Sequence, residues 1–107
     1  MSKKPTNIDV RTGKLLEALR KSKGMQLKDL AKEIGVTHQQ LYKYEQAVNR
    51  ITLSRFIMAC DAIDISPSRF IKEIIFDTGE IEELINLREE NKQLRSTIRG
   101  IKEIVND

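Results

Sequence analysis

The 107 residues predict an all-α protein of five short helices followed by one longer C-terminal helix. Apolar residues recur at three- and four-residue spacings, and no alternating pattern runs long enough for a strand. Charged residues make up 33% of the chain and aromatics only 5%, with no Trp, a balance that suits helices better than β-strands. Helix caps and stops fall between the periodic segments: Gly24, Gly35, Thr37, Thr52, Ser66-Pro67 and Thr78-Gly79.

Residues 1–7 are polar and basic and contain Pro5, and residues 1–8 are expected to form a flexible arm. The first helix is expected from Asp9 or Val10 to Lys23, with Leu15, Leu16 and Leu19 on its apolar face and Gly24 as its stop. Leu27, Leu30, Ala31 and Ile34 repeat at i, i+3, i+4 and i+7, giving a second helix over 27–34 that Gly35 ends. Thr37 is a cap for a third helix from His38 to about Gln46, with Leu41, Tyr44 and Glu45 facing inward. Thr52 caps a fourth, over about 53–63. Ser66 caps a fifth, which starts at Pro67 and runs to about Phe76. These five make one domain over residues 9–77, and a last helix spans about 80–106.

The net charge of +3 is unevenly spread. Residues 1–79 hold 14 Lys/Arg against 9 Asp/Glu, whereas residues 80–107 hold 5 against 7. A basic body with a slightly acidic tail suits a body that meets phosphate. Cys60 is the lone cysteine, so no intrachain disulfide forms, and a cytoplasmic location is expected. It lies in an apolar run and reads as a packing residue. No run of 18 apolar residues and no signal-peptide pattern is present, so neither a membrane span nor secretion is expected. One His and one Cys supply no metal cluster, and no nucleophile or phosphate-loop motif occurs, so neither an enzyme nor a cofactor is expected.

The second and third helices, separated by Gly35-Val36-Thr37, have the form of a helix-turn-helix. Ala31 is small where the third helix crosses, Gly35 permits the positive φ of the turn, and Leu41 packs back on the second helix. The run Gly24 to Thr37 resembles the second helix and turn of the phage-repressor, or xenobiotic-response-element, type of regulator. Gln39-Gln40-Leu41-Tyr42-Lys43-Tyr44-Glu45 resembles that family's recognition helix. Asn49-Arg50-Ile51 resembles its following loop, and Asp64-Ile65-Ser66-Pro67 its link to the fifth helix. The resemblance covers about residues 9–76 and implies a five-helix, lambda-repressor-like DNA-binding domain.

The resemblance also implies roles. His38, Gln39 and Lys43 match the family's base readers; Gln pairs with adenine and Lys donates to guanine. Gln40 and Tyr42 flank them as phosphate contacts. Further phosphate contacts are expected from Gln26, Gln46, Asn49 and Arg50, and from the N–H groups near Thr52. Arg50 is also a candidate minor-groove clamp. Arg20 and Glu45 match a structural ion pair between the first helix and the end of the third. Three positions depart from the family. Leu27 stands where many relatives have a phosphate-touching Gln. Gln26 replaces a Ser or Thr cap. Ala47 replaces a helix-ending Gly, leaving Asn49 to supply the turn.

In the tail, Leu84, Leu87, Asn91, Leu94, Ile98, Ile101 and Val105 are spaced alternately by three and four. This is a heptad seam with Leu84, Asn91, Ile98 and Val105 at a, and it predicts a parallel homodimer through residues 80–107. Across such a pair Glu83 meets Arg88 and Glu90 meets Arg95 of the partner. The competing possibility is that the helix folds back on its own domain, for which Ile81, Ile85 and Ile104 lie ready off the seam. The expected partner is double-stranded DNA bearing an inverted repeat, with no small-molecule effector. The expected function is that of a dimeric transcriptional repressor. The alternative is an interaction module, such as an antitoxin-like partner, whose last helix pairs with another chain.

Overall fold

The structure, a computed structural model, describes residues 5–90. It contains α1 (Asn7–Ser22), α2 (Leu27–Ile34), α3 (His38–Glu45), α4 (Leu53–Ala62) and α5 (Pro67–Phe76). A sixth helix, α6, occupies residues 80–90, up to the last described residue. The described residues contain no strand.

Three helix starts use the hydroxyl caps expected of them. Thr37, Thr52 and Ser66 accept from the N–H groups of Gln40, Arg55 and Arg69 at 3.1, 3.3 and 3.2 Å. Each such cap contributes about 1 kcal/mol. α1 starts earlier than its apolar periodicity suggests. Thr6 and Asp9 form a capping box: the Thr6 N–H donates to Asp9 Oδ2 at 2.9 Å and the Asp9 N–H to Thr6 Oγ1 at 3.2 Å. These bonds satisfy the first amide groups of the helix, so Asn7 and Ile8 are helical rather than part of an arm. At α2 the expected deficit of Gln26 as a cap is met from the other side, because Asp29 Oδ2 accepts the Gln26 N–H at 2.8 Å.

The apolar faces meet in one core. α2 packs on α3 and α4, while α1 crosses α3 and α5. Leu16, Leu19, Leu30, Ile34, Leu41, Ile63 and Phe70 are buried there. Phe56 and Phe70 meet edge to face, 4.9 Å between centroids, which joins α4 to α5. Cys60 lies in the same core, and burial pushes its thiol up to about 12, which makes it unreactive packing.

The core continues into α6. Ile81 is 1% exposed, and Leu84 and Ile85 pack partly against the same cluster. The link before it is tied down. Glu73 accepts from the Thr78 and Gly79 N–H groups at 3.0 and 3.1 Å and from the Thr78 hydroxyl. Arg88 serves the chain's own body: it donates to Ser22 Oγ, Ile63 O and Asp64 O at 3.1, 2.9 and 3.0 Å. The Arg88 guanidinium expected to meet Glu83 of a partner is engaged here by acceptors of its own chain. A guanidinium placed against helix-end carbonyls finds acceptors without a carboxylate. Leu87, on the expected seam, is 55% exposed. Asn91, Leu94, Ile98, Ile101 and Val105, as well as Arg95 and Ile104, lie outside the described residues.

Candidate nucleic-acid interface

The α2–turn–α3 unit is fastened from three sides. Gly35 takes φ 71°, the left-handed conformation that lets α2 stop and α3 depart. Beside it, Arg55 of α4 donates to Ile34 O at 2.7 Å, satisfying an end carbonyl of α2. A Cβ on Gly35 would be strained by the positive φ and would lie 3.1 Å from the Arg55 guanidinium, pushing on that clamp. Leu41 seals α3 against α2 from within.

The far end of α3 is held by charge. Arg20 donates from Nε and Nη2 to the two Glu45 carboxylate oxygens at 2.8 and 3.1 Å, and from Nη1 to Met25 O at 2.8 Å. The two side chains are 8% and 1% exposed. Removing one partner of such a pair costs roughly 3–5 kcal/mol, whereas replacing both with apolar groups is often neutral. Its contribution is geometric, setting where α3 ends relative to α1. Gly13 permits the close crossing: a Cβ there would lie within 2.8 Å of Tyr44 O.

With its inner face committed, α3 leaves His38, Gln39, Tyr42 and Lys43 exposed, and Gln40 half-buried. Gln39 and Lys43 are four residues apart and share one side. Thr52 caps the neighbouring start of α4, where the N–H groups of Leu53 and Ser54 have no acceptor within the helix. Asn49 and Arg50 are exposed in the intervening loop. Two of the expected phosphate contacts are engaged within the chain. Gln46 donates to Glu17 at 3.2 Å, and Arg50 Nε donates to Asp9 Oδ2 at 3.2 Å. The Arg50 bond uses Nε, leaving the two terminal nitrogens outside that ion pair. Hydrogen bonds from Thr6, together with the Arg50 charge, hold the Asp9 carboxyl below its usual range despite some desolvation. Gln26 is exposed and Leu27 half-buried against the core, so the Leu that departs from the family packs instead of reaching outward.

The turn after α3 corrects one expectation. Ala47 itself, not Asn49, adopts the left-handed conformation, with φ 59°. Its N–H bonds to Tyr44 O at 3.2 Å and its side chain is buried, so packing holds a conformation that alanine resists. Sequence reasoning also passed over Asp9, Gly13 and Arg55. The Thr6-x-x-Asp9 spacing was available as a capping signal. Nothing local marks Gly13 as a crossing point or Arg55 as the clamp of a turn twenty residues away.

Comparison with known proteins agrees with this architecture. The sequence profile of the Helix-turn-helix family matches residues 16–70. An uncharacterised HTH-type transcriptional regulator of Rickettsia conorii is 47% identical over 57 residues, covering 53% of this chain and 46% of the relative. The regulator y4aM of Sinorhizobium fredii, also described as an uncharacterised HTH-type transcriptional regulator, is 33% identical over 78 residues, covering 73% of this chain and 54% of its own. The chain thus spans about half the length of these curated relatives. Among solved structures, the clp gene regulator ClgR of Corynebacterium glutamicum shares the fold, with TM-score 0.60, 19% identity, and coverage of 90% of this chain and 94% of that one. With its turn glycine, its packed α2–α3 pair and a family match over more than half its length, this chain belongs to the phage-repressor type of the helix-turn-helix family.

Proposed function

We propose that the chain is a sequence-specific, dimeric transcriptional regulator that acts as a repressor and reads the major groove of an inverted repeat with α3. The observation that carries this reading is the exposed stripe His38, Gln39 and Lys43 on a helix whose other face is pinned by Leu41 and the Arg20–Glu45 pair. Gln39 pairs with adenine, Lys43 with guanine, and His38 meets a base edge or a phosphate beside them. Gln26, Gln40, Tyr42, Gln46, Asn49, Arg50 and the start of α4 at Thr52 bind the phosphates that flank the groove. Gln46 and Arg50 exchange or share their internal partners on binding. Dimerisation runs through the helix from residue 80, with Leu84 and Leu87 at the start of its seam. The exposure of Leu87 supports this part of the reading. No helix among the described residues is long and apolar enough to cross a membrane.

The decisive experiment is selection of bound fragments from random DNA at stated salt, followed by Gln39→Ala and Lys43→Ala on the selected site. Each substitution should weaken specific binding by about 1–3 kcal/mol and relax the preference at one base position. Binding of unselected DNA should barely change with Gln39→Ala, and all affinities should fall steeply as salt rises. A double variant that binds the selected site as tightly as the parent would remove α3 as the reader.

A further inference from the structure

We infer that Arg88 is a positioning residue whose guanidinium locks α6 to the helix-turn-helix body, and thereby sets the half-site spacing that the dimer accepts. The inference rests on the dimeric reading above and deepens it.

Arg88 stands in the third turn of α6. It donates to Ser22 at the end of α1, to Ile63 at the end of α4, and to Asp64 in the turn that follows. All three acceptors are uncharged, and Arg88 has no ion pair among the described residues. Helix C-termini carry partial negative charge, which favours a cation at this place. Ser22 is oriented for the contact: it is buried, and its own proton goes to Leu19 O at 2.7 Å, leaving its oxygen to accept.

The second anchor lies seven residues back, about 10 Å along the helix axis. There Ile81 is buried in the core, and Glu73 holds the Thr78–Gly79 link. Either anchor alone would let α6 swing about it. Together they fix its tilt and its rotation. At about 100° per residue, Ile81, Ile85 and Arg88 lie on one side of α6, and Leu87 points about a third of a turn away. The helix therefore spends one stripe on its own body and presents another outward, in a direction set by the first.

A dimer joined through such a stripe holds its two α3 helices in a fixed relation. One base pair added between half-sites moves the second by about 3.4 Å and turns it by about 34°. A rigid exit for α6 rejects that change, whereas a loosened exit tolerates it.

The test uses the full chain and the DNA site it selects, remade with one base pair inserted or deleted between half-sites. Sedimentation equilibrium reports the oligomeric state. The parent should be dimeric and lose about tenfold or more in affinity per base pair of altered spacing. Arg88→Ala should remain dimeric, bind an isolated half-site like the parent, and lose only about threefold or less on the altered sites. Ser22→Ala, which removes one of the three acceptors and leaves α6 untouched, should fall between them and decides the matter if Arg88→Ala does not fold. A dimeric Arg88→Ala that keeps the parent's spacing preference overturns the latch alone. A variant weakened equally on every site reduces Arg88 to a structural role and also overturns it. A parent that binds its selected site as a monomer removes the dimeric reading, and the latch with it.

Discussion

Gly13→Ala sets two effects of opposite sign against each other, and the structure decides between them. Gly13 lies inside α1, where replacing Gly by Ala ordinarily stabilises a helix by about 1 kcal/mol. Here the added methyl carbon would stand 2.8 Å from Tyr44 O and 2.9 Å from the Glu45 carbonyl carbon, with Glu45 O nearer still. These are backbone atoms of the last turn of α3. Tyr44 O already accepts from Ala47, and the Glu45 side chain is fixed by Arg20, so neither carbonyl can turn aside locally. Relief requires α1 and α3 to separate, which loosens Leu16 and Leu41 and strains the bidentate ion pair. Overpacking of this kind costs about 1–3 kcal/mol, and contact with backbone belongs at the upper end. Subtracting the helix gain leaves a net loss of about 2 kcal/mol, or a melting point lower by roughly 10 °C for a domain of this size. Urea unfolding followed by far-UV circular dichroism measures it directly. A Gly13→Ala protein as stable as the parent, with an unchanged slope, would refute the account of the α1–α3 crossing.

Two further outcomes follow from the same geometry. Ala47→Gly should leave stability within about 0.8 kcal/mol of the parent, because relief of the left-handed strain is offset by the lost burial of the methyl and by the added freedom of the unfolded chain; a urea midpoint shifted by more than that in either direction would contradict it. Acid should destabilise the protein as pH falls below about 4, where ordinary carboxyls protonate. The Thr78 hydroxyl and the Thr78 and Gly79 amide groups hold the Glu73 carboxyl below its usual range, and the capping box with Arg50 does the same for Asp9. The folded state thus binds these protons less readily than the unfolded chain, so the stabilisation is complete at neutral pH and vanishes as pH drops through the folded values. Asp9→Asn and Glu73→Gln should each flatten the acid limb of a stability–pH curve, and an unchanged limb in both would count against these roles.

The parts legible in the sequence are those written in local chemistry. The starts of α3 to α6 follow from apolar spacing joined to a hydroxyl, proline or glycine signal at the right place, and the start of α2 from its apolar spacing; those signals act over three or four residues. The exposure of His38, Gln39 and Lys43 was legible for the same reason, since with Leu41 and Glu45 facing inward these three take the outer side of α3; that they read bases is what the resemblance implies. What escaped depends on distance in sequence. Arg55 reaches a carbonyl 21 residues away, Arg50 meets Asp9 across 41, and Arg88 meets Ser22 across 66. No periodicity encodes such pairs. Ala47 escaped for another reason: propensity favours Asn in a left-handed turn, but the burial of the Ala47 side chain overrides it.

The described part of α6 follows the fold-back reading while leaving room for the heptad one, though the two look exclusive in sequence. The heptad pattern and the fold-back pattern were rivals because both claim apolar residues in the same turns. In the structure Ile81 and Ile85 go to the body, Leu87 stays outside, and Leu84 stands between them, partly packed. The division follows from helical geometry, since stripes offset by a fraction of a turn are distinct faces of one cylinder. It also changes how the seam must be judged. A seam of just over three heptads from Leu84 to Val105, with Gly100 among its residues, is a marginal coiled coil if the helix must first be ordered from a free chain. A helix already ordered over its first three turns by Ile81 and Arg88 has met part of that nucleation cost before any partner arrives. Under the proposed dimeric reading, pairing that begins at Leu87 then needs less apolar surface than an isolated zipper of that length, because the body to which α6 is docked serves as its nucleus.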